Sequence, residues 1–275
     1  MFEIDPSLLY GLAVGLAAGA LAGALAGLAG VGGGLIYMPL FYAAMPKAVE
    51  GVAAPVFASL VAVAITGFFS TRAHWRLGHI DRNAAMRLLP GLMIGAGLGL
   101  WSTLRLPAAW VLLALAALDA WIAFDYGREV KPASARRLSL AWFSGPIGFV
   151  SGALGIGGGT MLTPLLRRFA ALRFAVGTSA MCGLMMALGA IAINMLLEQR
   201  WCHELGDQLW FLSGAWLGIG LILPKSSGWS ARLHHSAPES ILRPALKAVF
   251  ASLSTALLLA AMLLIGGVRL PAMPG

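Results

Sequence analysis

Two stretches of the 275-residue chain could do chemistry with the main chain alone. Gly30-Val31-Gly32-Gly33-Gly34-Leu35-Ile36-Tyr37-Met38-Pro39-Leu40 returns as Gly155-Ile156-Gly157-Gly158-Gly159-Thr160-Met161-Leu162-Thr163-Pro164-Leu165, an offset of 125 residues. Consecutive glycines break a helix, each costing about 1 kcal/mol relative to alanine in a helix interior. They also leave the backbone open to close approach. Each copy follows an apolar run and precedes a short one, so a new helix is expected to begin at each break. A helix start carries free N–H groups and about half a positive elementary charge. That suits an anion with several acceptor oxygens. The candidate substrate-binding residues are therefore Val31, Gly32, Gly33, Gly34, Leu35 and Met38 in the first copy. The second copy supplies Ile156, Gly157, Gly158, Gly159, Thr160 and Thr163. Thr160 can offer its hydroxyl or cap its own helix. Hydroxyls at Thr160 and Thr163 against Leu35 and Met38 make one side of such a site more polar than the other. A hinge or a packing device is the competing reading of the same glycines.

Other reactive groups are sparse. Charged residues are 11% of the chain and hydrophobic ones 59%, against about 25% charged in a soluble domain. This composition belongs in lipid. Asp119 lies within an apolar run, where a carboxylate is functional by default, often as a proton relay. The alternative is a cap or ion pair near the run's end, because Asp125 and Arg128 follow closely. Arg72, His74 and Arg76 lie at a membrane edge, where they either recruit or gate an anion or simply anchor the helix. Asn194 is expected to make a helix–helix hydrogen bond. Trp75 and Trp201 fall at matching edges, as interfacial anchors. Cys182 and Cys202 have no metal spacing, and no disulfide follows from them. No Gly-x-x-x-x-Gly-Lys motif occurs, so no ATP hydrolysis is expected. No nucleophile–base pair stands out for an intramembrane enzyme. No cofactor is implied. The net charge of +8 reads as loop charge rather than a nucleic-acid surface, since no basic stripe carries interleaved aromatics.

The elements that must position these groups follow from the apolar runs. Residues 8–29, 51–70, 88–104 and 108–124 are each long enough, or nearly so, to cross about 30 Å of hydrocarbon. In the second half the runs are 138–154, 174–197, 209–223 and 245–266. Between them, 35–45 and 160–166 are too short to span. Gly15, Gly19, Gly23 and Gly27 recur every four residues, a stripe for close helix contact. Glu3 and Asp5 stand where a signal peptide would be basic, so the first run is expected to be retained in the membrane.

Two topologies fit these runs. If each half crosses four times, the 19 Lys and Arg residues divide almost evenly between the two faces. If each short piece turns the chain back, only Lys47, Arg105, Arg200 and Arg269 remain on one face. The positive-inside rule prefers the second. The expectation is an all-α polytopic membrane protein of two inverted repeats. Each repeat has four long transmembrane helices plus a short helix after the Gly-rich break, about ten segments in total. Residues 1–127 form the first repeat, 128–137 a cytoplasmic linker and 138–275 the second repeat, with both termini outside. Breaks at equivalent positions in two such halves mark a transporter's substrate site.

Over essentially its whole length the chain resembles the sulfite exporter TauE/SafE family of membrane transporters. The resemblance rests on Gly30 to Pro39 and Gly155 to Pro164. It is extended by His74-x-x-x-Gly78-His79-Ile80-Asp81 and by Ala175-Val176-Gly177-Thr178-Ser179. The histidine loop has no clean copy in the second half. The resemblance implies outward transport of small sulfur-containing organic or inorganic anions, sulfonates such as sulfoacetate or sulfite, across the bacterial inner membrane. An anion channel built on the same broken helices is the alternative, and an intramembrane enzyme a weaker one. Beyond the anion and membrane lipid no partner is implied, and the oligomeric state is left open.

Overall fold

The computed structural model describes residues 5–29, 33–45, 51–125, 140–198, 200–236 and 239–266. Gly30, Val31, Gly32 and the linker 128–137 lie outside the described residues. Within them the chain is helical: α1 Pro6–Ala29, α2 Gly34–Ala44, α3 Ala53–Arg76, α4 Arg82–Ser102 and α5 Ala108–Asp125 precede residue 126. After it come α6 Leu140–Leu154, α7 Gly159–Leu166, α8 Leu172–Leu197, α9 Arg200–Gly206, α10 Leu209–Ser236 and α11 Glu239–Ile265. Six of the described helices are long and apolar enough to cross a membrane, namely α1, α3, α4, α8, α10 and α11. Large apolar side chains such as Ile94, Trp110, Leu221 and Met262 are exposed on the outer surface, as hydrocarbon-facing residues are. The protein is a polytopic membrane protein.

Helix contacts pair the two parts of the chain. α1 packs on α10, α4 on α6, α3 on α8 and α5 on α11. Small residues make the first two contacts close. Gly11, Gly15 and Gly19 lie against Phe211, Ala215 and Ile219, and Gly91, Gly95 and Gly99 against Ser144, Gly145 and Phe149. The expected glycine stripe is thus a packing face. The residue numbers rise together in both contacts, so α1 runs parallel to α10 and α4 parallel to α6. Trp216 Nε1 donates to the Ala58 carbonyl and Gly220 lies by Ile65, which makes α3 parallel to α10. Gly97 lies by Ile193 and Gly189 by Met93, so α4 is parallel to α8. Between α3 and α8 the order reverses: Gly67 meets Leu184, and Gly177 meets His74. Helices α1, α3 and α10 therefore point one way, and α4, α6 and α8 the other. Because α1 and α3 agree in direction, α2 must carry the chain back between them. Helix α7 does the same between α6 and α8.

Three details differ from the sequence reading. Helix α10 continues to Ser236 and α11 begins at Glu239, well beyond the ends of the apolar runs 209–223 and 245–266. Hydropathy marks where lipid ends, and a helix with a good hydrogen-bond ladder runs on into water. The segment between the runs 174–197 and 209–223 contains the short helix α9. Trp201 is not an interfacial anchor: it is fully buried, stacks at 5.0 Å on Phe57 and donates its indole N–H to Asn194 Oδ1 at 3.3 Å. Asn194 in turn donates to the Gly97 carbonyl at 2.9 Å, the helix–helix hydrogen bond expected of it.

Candidate functional site

The second glycine break is a turn that only glycine can make cheaply. Gly155 and Gly157 have φ of +67° and +72°, a left-handed conformation costly to residues with a Cβ. The turn is tied on two sides. Ser59 Oγ donates to the Gly155 carbonyl at 2.6 Å, and the Ile156 N–H donates to the Ser151 carbonyl at 3.1 Å. Gly157 is pressed against the side chain of Val63, near the middle of α3. Gly158 and Gly159 lie under Gly183, near the middle of α8. A Cβ at position 183 would stand 3.4 Å from Gly158 N and 3.7 Å from Gly159 N. The break is thus held halfway along two long helices.

The first break meets it there. Gly34 packs directly on the main chain of Ile156, while Gly33 lies against Ala22 of α1 and the ring of Tyr37. Gly33 and Gly158 are the N-caps of α2 and α7, and neither helix has a side-chain cap. The first backbone bonds are from Ile36 and Tyr37 N–H to the Gly33 carbonyl, and from Leu162 N–H to the Gly158 carbonyl. Among the described residues the N–H groups of Gly34, Leu35, Gly158, Gly159, Thr160 and Met161 have no acceptor. Gly33, Gly34, Leu35, Met38, Ile156, Gly157, Gly158 and Thr160 are buried. A buried helix start without partners is rare, because each unpaired polar group there costs about 1–3 kcal/mol.

Nearby hydroxyls are already spent. Thr160 Oγ1 donates to the Gly157 carbonyl at 3.3 Å, inside its own turn. Ser179 Oγ donates to the Val176 carbonyl at 3.0 Å, so in its 2.7 Å contact with Thr163 Oγ1 the threonine is the donor. The same logic makes Tyr37 OH the donor to Thr66 Oγ1 at 2.8 Å, because Thr66 donates to the Ala62 carbonyl. Pro39 and Pro164 fall in the second turns of α2 and α7 rather than the first. Lacking N–H, they leave the Leu35 and Thr160 carbonyls without their i+4 donors. What the site offers a ligand is thus mainly backbone amide.

The structure brings together Gly33, Gly34, Ile156, Gly157, Gly158 and Gly159, with Leu35, Met38, Thr160 and Thr163 on the first turns of the helices that follow. It does not bring Arg72, His74 or Arg76 to them. His74 is eleven residues beyond Val63 on α3, about 16 Å along the helix. Arg72 and Arg76 are exposed and His74 is half-buried. Their loop docks on the start of α8: the Asp81 N–H donates to Thr178 Oγ1 at 2.9 Å, and His79 lies 5.9 Å from the Phe174 ring. Asp119 is elsewhere, on α5. It is fully buried and neither carboxylate oxygen has a hydrogen-bond partner. Among the described residues nothing caps it or pairs with it; Arg128 lies outside them.

Sequence reasoning missed Ser59 and Gly183. Ser59 has a signal, as the one hydroxyl between Gly51 and Ile65. Gly183 has only its isolation among Cys182, Leu184 and Met185, which is weak in a chain with 35 glycines.

A model of the family described as sulfite exporter TauE/SafE matches residues 15–260. A "Probable membrane transporter protein" of Haemophilus influenzae is 30% identical over 235 residues, covering 82% of this chain and 88% of that one. No solved structure matches the chain.

Proposed function

The chain belongs to the sulfite exporter TauE/SafE family, and from that premise we propose that it is a secondary transporter of small sulfur-containing anions. The substrate class is sulfonates such as sulfoacetate, or sulfite, moved outward across the bacterial inner membrane by alternating access. One observation carries the reading: the amides of two helix starts, without acceptors among the described residues, converge beside the middle of α3 and α8. A sulfonate group has three acceptor oxygens and one negative charge, which these donors and helix dipoles match. The burial of both breaks favours an occluded carrier over an open pore.

Residues 1–127 and 138–275 act as inverted repeats in this reading. Support comes from the opposed directions of α3 and α8, and from the reciprocal packing of α1 on α10 and α6 on α4. Arg105 and Arg200 both lie by Glu198, at 3.7 and 3.8 Å, on the face assigned few cations. That face is the periplasmic one and carries both termini. Arg72 and Arg76 stand with His74 at the cytoplasmic mouth, where the two guanidinium charges concentrate anions.

The test is flux into proteoliposomes across sulfite, sulfoacetate, taurine, sulfate and acetate. Saturable uptake of sulfite or sulfoacetate with counterflow is expected, and weaker uptake of taurine because of its ammonium group. Anion flux that neither saturates nor shows counterflow would identify a channel. No flux of any of the five would end the proposal.

A further inference from the structure

Asp119 belongs to neither the glycine breaks nor the basic mouth, and its surroundings are unlike those of any other carboxylate described. It lies twelve residues into α5, on the face that also buries Leu112, Leu115, Ala116 and Ile122. Ala116, one turn earlier on that face, accepts a hydrogen bond from Ser254 Oγ of α11 at 2.8 Å. Asp119 is thus on the seam between α5 and α11, where α11 buries Phe250, Leu257 and Ala261.

Among the described residues nothing there answers a negative charge. The Ser254 hydroxyl is donated to Ala116. Ser252 and Thr255 donate to their own helix, at the Val249 and Ala251 carbonyls. The charged residues of α11 are Glu239, Arg243 and Lys247, all before Phe250, and Lys247 is exposed. Helix α6, which also touches α5, has no ionisable residue from Leu140 to Leu154. On α5 itself the other carboxylate is Asp125, at its end. Both oxygens of Asp119 are unpartnered. An ionised carboxylate does not persist without a partner in such a place; it takes up a proton instead.

We propose that Asp119 is a proton-binding site that couples proton movement to transport. In this closed arrangement it is the neutral acid. It releases the proton when water reaches it, and re-forms the O–H bond when the seam closes. The seam joins a helix before residue 126 to one after residue 139, so motion of one half against the other opens it. This coupling rests on the alternating-access reading above; the protonation does not.

Two measurements separate the parts. Infrared spectra of the lipid-reconstituted protein near neutral pH should show a protonated-carboxyl C=O band that is lost in Asp119→Asn and shifted in Asp119→Glu. No such band, or one lost at the pH where exposed carboxyls ionise, overturns the proton site. In proteoliposomes an imposed pH gradient should drive sulfoacetate accumulation by the wild type, with loss of the gradient-driven component in Asp119→Asn and its return in Asp119→Glu. Equal gradient-driven accumulation by wild type and Asp119→Asn overturns the coupling, as does a sodium-driven component that Asp119→Asn abolishes. Counterflow by the wild type, measured without a gradient, tests the transporter reading separately.

Discussion

Gly183→Ala is the substitution that divides an anion site from a packing device. A methyl group at this position would contact the Gly158 and Gly159 nitrogens at 3.4 and 3.7 Å, ordinary van der Waals separation. The fold should therefore accept it, and alanine is favoured over glycine in a helix interior by about 1 kcal/mol. The same methyl occupies the space over two amides that a ligand oxygen would use. A hydrogen bond to a charged group is worth about 1.5–3 kcal/mol, so blocking both costs about 3–6 kcal/mol. That corresponds to a loss of about a hundredfold or more in affinity. Calorimetric titration of the purified protein with sulfoacetate gives the affinity, and thermal unfolding without ligand gives the stability. The expected result is an unchanged or slightly raised Tm with Kd weakened about a hundredfold or more. Unchanged Kd in the folded variant would refute the contact between these amides and the ligand. A fall in Tm would return Gly183 to a packing role.

Three further outcomes follow from other parts of the structure. Gly157→Ala forces a Cβ into both a left-handed backbone and the Val63 side chain. It should lose at least about 1–2 kcal/mol, read as a lower Tm. Asn194→Leu removes the bonds to the Gly97 carbonyl and from Trp201 Nε1, and should cost about 0.6–1.7 kcal/mol in a denaturation assay while sulfonate flux persists. Single cysteines at positions 105 and 200 should react with an impermeant maleimide from one side of the membrane, and a cysteine at position 76 from the other. Labelling of positions 105 and 200 from opposite sides would remove the inverted topology.

The order of helices was legible because lipid demands long apolar runs and because triple glycines have no comfortable place inside one. Gly15 and Gly19 read correctly as a contact face, since spacing by four fixes them to one side of a helix. Asn194 read correctly because a lone amide near the end of a span has few uses beyond a neighbour's carbonyl. What sequence could not supply is pairing between distant segments. Trp201 looked like an interfacial anchor because its neighbours are polar, yet it folds back onto Phe57 and Asn194. For Asp119 the sequence left a functional carboxylate and a cap or ion pair both open, and only the fold shows it buried with no hydrogen-bond partner among the described residues. For Thr160 and Thr163 the sequence does not say where the hydroxyl hydrogens go, and the fold directs them to Gly157 and Ser179. The meeting of Gly34 with Ile156 and the cover given by Gly183 exist only once α3 and α8 have crossed.

The most direct measurement is an experimental structure with a bromoalkyl sulfonate bound, the bromine located by anomalous scattering. The expected result is the sulfonate between α2 and α7, its oxygens accepting from the N–H groups of Gly34, Leu35, Gly159 or Thr160. A sulfonate held only at Arg72, His74 and Arg76, with those amides turned toward protein carbonyls, would contradict it.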